Sequence, residues 1–71
     1  MIIVNGEKLQ CPVHMNLKEF LQSRGYDTKL VATECNGEII PKAVYEEKIL
    51  EDGDTLEVVS FVGGGWFEYL Y

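Results

Sequence analysis

Apolar and polar positions change their spacing several times along the first 62 residues, and each change marks an element. Ile2, Ile3 and Val4 form a short apolar run that stops at Asn5-Gly6. That dipeptide suits a type I′ turn, whose two central residues need positive φ. MIIV and NGEKLQC therefore read as the two strands of a hairpin, and Pro12 ends the second. In NLKEFLQSRG the period lengthens. Leu17, Phe20, Leu21 and Arg24 fall at i, i+3, i+4 and i+7, which gathers three apolar side chains on one helix face. Asn16 is a good N-cap, Glu19 completes a capping box, and Gly25 supplies the left-handed residue that closes the helix. So short a helix is marginal alone and must pack on a sheet.

LVATEC reads as a third strand and EIIP as a fourth, joined by a second Asn-Gly turn at Asn36-Gly37. KAVYEEKIL fits either a short helical turn or irregular structure. EDGD (Glu51 to Asp54) is a turn in which Gly53 supplies the permissive backbone. In TLEVVSFV, Leu56, Val58, Ser60 and Val62 alternate with Glu57, Val59 and Phe61. Apolar residues on both faces suit a central strand. The terminal strands, 1–5 and 55–62, are then plausible parallel neighbours. The expected fold is α+β: a β-grasp, with a mixed sheet of four to five strands and one helix packed across it.

With 71 residues the chain holds one domain, and a domain of that size buries roughly 60% of the surface its unfolded chain exposes. A deep catalytic pocket does not fit such a core. Twelve acids against six bases give a net charge of -6, which repels nucleic acid and either attracts a basic partner surface or simply keeps a small protein in solution. No apolar run approaches the ~20 residues that span a bilayer, and no signal-peptide pattern opens the chain, so no membrane role and a cytoplasmic location are expected. Cys11 and Cys35 lack CxxC pairing and read as two reduced thiols, Cys35 as a small buried hydrophobe. His14 has no visible partner for acid–base or nucleophilic work, and no His/Cys cluster has metal-ligand spacing. An enzyme is the least favoured reading.

The chain closes on VGGGWFEYLY, in which four of its eight aromatic residues follow three glycines. A glycine run by itself is most simply a linker or turn. The aromatics would pack on the core or a sheet edge, since left solvated they favour aggregation.

MIIVNGE at the start, CNGEIIP in the middle and LEDGDTLEVVSFVGGG near the end resemble, in order over residues 1–65, the ThiS family of thiamine-biosynthesis sulfur carriers. That family shares the ubiquitin-like β-grasp fold with the small subunit of molybdopterin synthase. The resemblance implies a carrier with no bound cofactor. Its C-terminal glycine carboxylate is adenylated with ATP by a ThiF-like enzyme, converted to a thiocarboxylate, and presented to a ThiG-like thiazole synthase. Carried over by position, Gly65 bears the sulfur, and Gly63 and Gly64 thread the tail into the partner. Glycine suits that task because it has no Cβ and adopts any φ, and three residues span at most roughly 10 Å.

The chain departs from the family pattern after Gly65. A peptide bond to Trp66 stands where the carboxylate should be, so the expected division is a β-grasp domain over 1–65 and an extension over 66–71. The extension is read as a cover removed by a processing protease. An artificially added tail and a domain that has lost the chemistry are the alternatives. Two rival functions remain open: a ubiquitin-like protein-binding module, and a carrier for molybdopterin or amino-acid biosynthesis.

Overall fold

Both Asn-Gly dipeptides form the turns their chemistry asks for. Asn5 and Gly6 take φ of 49° and 84°, and Asn36 and Gly37 take 54° and 85°. These are the left-handed values of a type I′ turn. The computed structural model describes residues 1–62 and 65–68, with Val62 and residues 65–68 described by backbone alone. The first turn joins β1 (Ile2–Val4) to β2 (Glu7–Leu9), and the second joins β3 (Val31–Cys35) to β4 (Glu38–Ile40). The second strand stops at Leu9, three residues before Pro12.

The helix α1 spans Leu17–Ser23 with Arg24 as its C-cap, one residue shorter than the periodicity suggests. Its capping box is complete. The Glu19 amide donates to Asn16 Oδ1 at 2.8 Å, and the Asn16 amide donates to Glu19 Oε1 at 3.3 Å. Gly25 closes it at φ 87°. Leu17, Phe20 and Leu21 are its buried face. Residues 42–44 form a single 3-10 turn, the short helical turn that the ambiguous KAVYEEKIL allowed.

β5 (Thr55–Val62) organises the rest. The strand order is β2-β1-β5-β3-β4, with β1 and β5 parallel and the other pairs antiparallel. This is the expected β-grasp, with the 55–62 strand central. Leu56 and Val58 are buried in the core with Ile2, Val4, Leu17, Phe20, Leu21, Val31 and Cys35. Tyr26, Tyr45 and Leu50 complete the core. The sheet has one strand more than expected. β6 (Gly65–Glu68) pairs antiparallel with the far end of β5. Among the described residues no helix is long and apolar enough to cross a membrane.

Candidate functional site

β5 is eight residues long and β1 only three, so β1 covers only the start of one β5 edge. The pairing is Ile3 with Thr55 and Val4 with Leu56. Main-chain bonds continue it: the Ile3 amide donates to the Asp54 carbonyl and the Asn5 amide to the Leu56 carbonyl, both at 2.9 Å. There the chain turns away, and the Asn5 side chain takes over the ladder. The Val58 amide donates to Asn5 Oδ1 at 2.8 Å, and Asn5 Nδ2 donates to the Val58 carbonyl at 3.2 Å. A carboxamide offers the donor and acceptor of one peptide group, so Asn5 acts as one further residue of β1.

Asn36 does the same for the opposite edge at the start of β5. Its amide donates to the Thr55 carbonyl at 2.8 Å, and its Oδ1 accepts from the Thr55 amide at 2.9 Å. Its Nδ2 donates to Asp54 Oδ1 at 3.0 Å, while Asp54 Oδ2 accepts from the Glu51 amide at 2.9 Å. That buried carboxylate fixes the EDGD turn from which β5 starts. Each turn asparagine therefore has two tasks. Its positive φ makes the hairpin, and its side chain holds β5.

Beyond Val58 the same edge is taken by β6, in the register Val59–Glu68, Ser60–Phe67, Phe61–Trp66 and Val62–Gly65. On the opposite edge β3 runs as far as Val31–Ser60, and the Phe61 amide donates to the Leu30 carbonyl at 2.6 Å. The end of β5 is thus held on both sides where it leads into the glycines. Gly65 is the first residue of β6, and the Gly65–Trp66 bond lies inside a paired strand. Gly63 and Gly64 lie outside the described residues. The backbone of residues 65–68 lies along the β5 edge, and the packing of the tail's aromatic side chains lies outside the described residues.

The face of the sheet turned away from α1 is open around Val59. Ala32, Thr33, Glu34, Ile39, Glu57 and Val59 line a shallow cavity of about 210 Å³ there. Ile39 is 73% exposed. Glu34 and Glu57 are register partners, so two like charges stand opposite one another. Neither has an ion-pair partner among the described residues. Directly opposed like charges weaken a sheet, and a cation between them would relieve the repulsion. Sequence reading missed this pair because strand register, not sequence spacing, brings Glu34 and Glu57 together.

The other candidate residues stand apart from this end. His14 is exposed at φ 56° in the loop before α1. Cys11 is half-buried with its Sγ toward the Leu50 carbonyl, and both thiols are free. Burial, then the nearby Asp54 carboxylate, push the Cys35 thiol pKa up, which disfavours a reactive thiolate.

Comparison with known proteins decides what this β-grasp is. A model of the ThiS family matches residues 2–65. The chain belongs to the ThiS family. The sulfur carrier protein ThiS of Bacillus subtilis is 45% identical over 66 residues, covering 92% of this chain and all of that protein. A thiazole synthase of Paramagnetospirillum magneticum is 41% identical over 64 residues. The match covers 90% of this chain but only 20% of that synthase, so the chain spans about one fifth of its length. The crystal structure of ThiS from Geobacter metallireducens superposes with a TM-score of 0.72 at 28% identity, covering 90% of this chain and 97% of that one. Membership of this family makes residues 2–65 a sulfur-carrier domain of thiamine biosynthesis.

Proposed function

We propose that this chain carries sulfur on the carboxylate of Gly65, freed by proteolytic removal of residues 66–71, and delivers it for thiazole formation. The observation that carries the reading is the family match, which runs to Gly65 and stops there. In the first step a Gly65 carboxylate oxygen attacks the α-phosphorus of ATP inside a ThiF-like enzyme, and diphosphate leaves. A hydrosulfide donor then attacks the acyl carbon and AMP departs, leaving the thiocarboxylate. A ThiG-like thiazole synthase takes the sulfur. The chain itself binds no cofactor. Its task is to hold a thin glycine tail at the end of a rigid strand, and the clamps on β5 at Val58, Ser60 and Phe61 serve that task.

Two features support docking to a partner that is apolar at its centre and basic at its rim. They are the open face around Ile39 and Val59, and the unpaired Glu34 and Glu57 beside it. Because β6 pairs with β5, the tail must peel from the sheet before a protease can grip the Gly65–Trp66 bond. Proteases take extended, unpaired backbone.

The test compares the full chain with a chain ending at Gly65, each given ATP, the adenylating enzyme and a sulfur donor. Intact mass is the readout. The shortened chain is expected to exchange one oxygen for sulfur, and the full chain is expected not to. A full chain that gains sulfur with its tail attached, or a shortened chain that never does, overturns the proposal. The β6 pairing favours one second reading, in which the tail is a permanent strand and the chain is a ubiquitin-like binding module. Tight binding of the full chain to its partner, with no thiocarboxylate from either form, would establish that instead.

A further inference from the structure

Half of the chain's six basic residues stand around one depression. Lys18 of α1, Thr28 and Lys29 of the loop before β3, and Lys42, Ala43, Tyr45 and Glu46 in and after the 3-10 turn line a cavity of about 330 Å³. None of these residues belongs to β5, β6 or the open sheet face. Three lysines against one glutamate leave an excess of two positive charges in a chain whose net charge is -6.

The donors around this depression are unequally engaged. Lys18 Nζ pairs with Glu46 at 2.8 Å, which holds the Glu46 carboxyl below its usual pKa. Lys42 Nζ donates to the Lys29 carbonyl at 2.7 Å, a contact that positions the ammonium without neutralising it. The Lys29 ammonium and the Thr28 hydroxyl have no side-chain partner among the described residues. Tyr45 is only 3% exposed, and its hydroxyl is buried with no hydrogen-bond partner among the described residues. Buried hydroxyls are normally paired, so one left unpaired in the lining of a depression that holds an unpaired Lys29 ammonium and an un-neutralised Lys42 ammonium calls for an explanation. An acceptor-rich anion would engage the free donors and offset the repulsion among the lysines.

We propose that this depression binds a phosphate group, either as the free ion or carried on a small molecule. A phosphate is multiply charged and presents acceptors in several directions, and lysine binds it as a point charge. The lining comes from three short segments around a hollow, which fits a small ligand better than an extended acidic peptide.

The test uses the full chain, isotope-labelled, with amide resonances followed while inorganic phosphate replaces chloride at constant ionic strength. A second arm uses phenyl phosphate, and a third a hexaglutamate peptide. Saturable shifts are expected at Lys18, Thr28, Lys29, Lys42 and Tyr45, and not at Lys8. Phenyl phosphate binding more tightly than inorganic phosphate would assign the site to a phosphorylated small molecule, and the reverse order to the free ion. The Lys29 side chain is exposed and free, so Lys29→Gln should fold normally and weaken binding about two- to fivefold, the effect of losing one exposed ion pair. Lys42→Gln provides a second variant. Shifts that never saturate, equal shifts at Lys8, or saturation by the peptide alone would each overturn the proposal. None of these readings depends on sulfur transfer, so failure here leaves the carrier proposal standing.

Discussion

Replacing Asn5 by glycine removes the clamp on β5. Glycine accepts φ 49° without strain, so the type I′ turn survives and only the side chain is lost. The loss falls on the Val58 amide and carbonyl, which bond to Asn5 Oδ1 and Nδ2 at 2.8 and 3.2 Å, and on the buried Tyr26 hydroxyl, 3.5 Å from Asn5 Nδ2. Two ordinary hydrogen bonds are worth about 1–3 kcal/mol net, and the cost moves to the upper end when the abandoned groups stay buried. Val58 is 0% exposed, so water reaches these groups poorly. The added freedom of glycine in the unfolded chain contributes about 0.4–1 kcal/mol more. The expected total is about 2–4 kcal/mol. A domain of this length has on the order of 4–11 kcal/mol to lose. Asn36→Gly is the matched control, since it makes the same change in the same turn type. Its side chain bonds the exposed Thr55 amide, where water can replace it, and the buried Asp54 carboxylate, where it cannot, so about 2–4 kcal/mol is expected here too. Urea unfolding of both variants measures the difference, and the Val58 amide should lose exchange protection only in the Asn5 variant. An Asn5→Gly protein within about 0.5 kcal/mol of the parent, or one whose Val58 amide keeps its exchange protection, would refute the clamp.

Two further outcomes follow from charges on the sheet. Glu57→Gln removes one of two opposed carboxylates, so stability should rise by about 0.2–1 kcal/mol while association with the adenylating enzyme slows and depends less on salt; thermal melts and on-rates across a salt series check both, and a destabilised variant contradicts the first. Cys35 has a folded-state pKa raised by burial and by Asp54, so the folded protein holds this proton more tightly than the unfolded chain. The resulting stability is present below the unfolded thiol pKa and is lost as pH climbs from there through the folded value. Wild type should therefore lose more stability above about pH 9 than Cys35→Ala does, as followed by denaturant titration.

Features whose causes are local were legible in the chain. The two Asn-Gly turns, the Asn16–Glu19 capping box and the closing Gly25 each depend on chemistry within four residues, and all formed. The central place of 55–62 was legible from its two-faced apolar pattern, because only a strand between others can use both faces. The long-range tasks of the same residues were not. Asn5 bonds to Val58, 53 positions away, and nothing in NGE distinguishes an asparagine that only turns from one that also clamps.

The sixth strand shows why the site itself was the hardest part to read. GWFE carries no alternation that announces a strand, and three preceding glycines argue for a linker. What makes a strand there is a vacancy elsewhere: β1 is too short to cover β5, and Asn5 closes the gap only at Val58. The edge from Val59 to Val62 then holds unpaired backbone groups, which any nearby extended segment can satisfy. Residues 65–68 follow Val62 after only two positions and are the nearest such segment. The features that suit β5 to present a glycine tail, its length and its uncovered end, thus also give an unprocessed tail a place to bind. Carrier activity and its suppression by the extension would then share one structural cause. Lengthening β1 or removing the tail should therefore change the same stretch of β5.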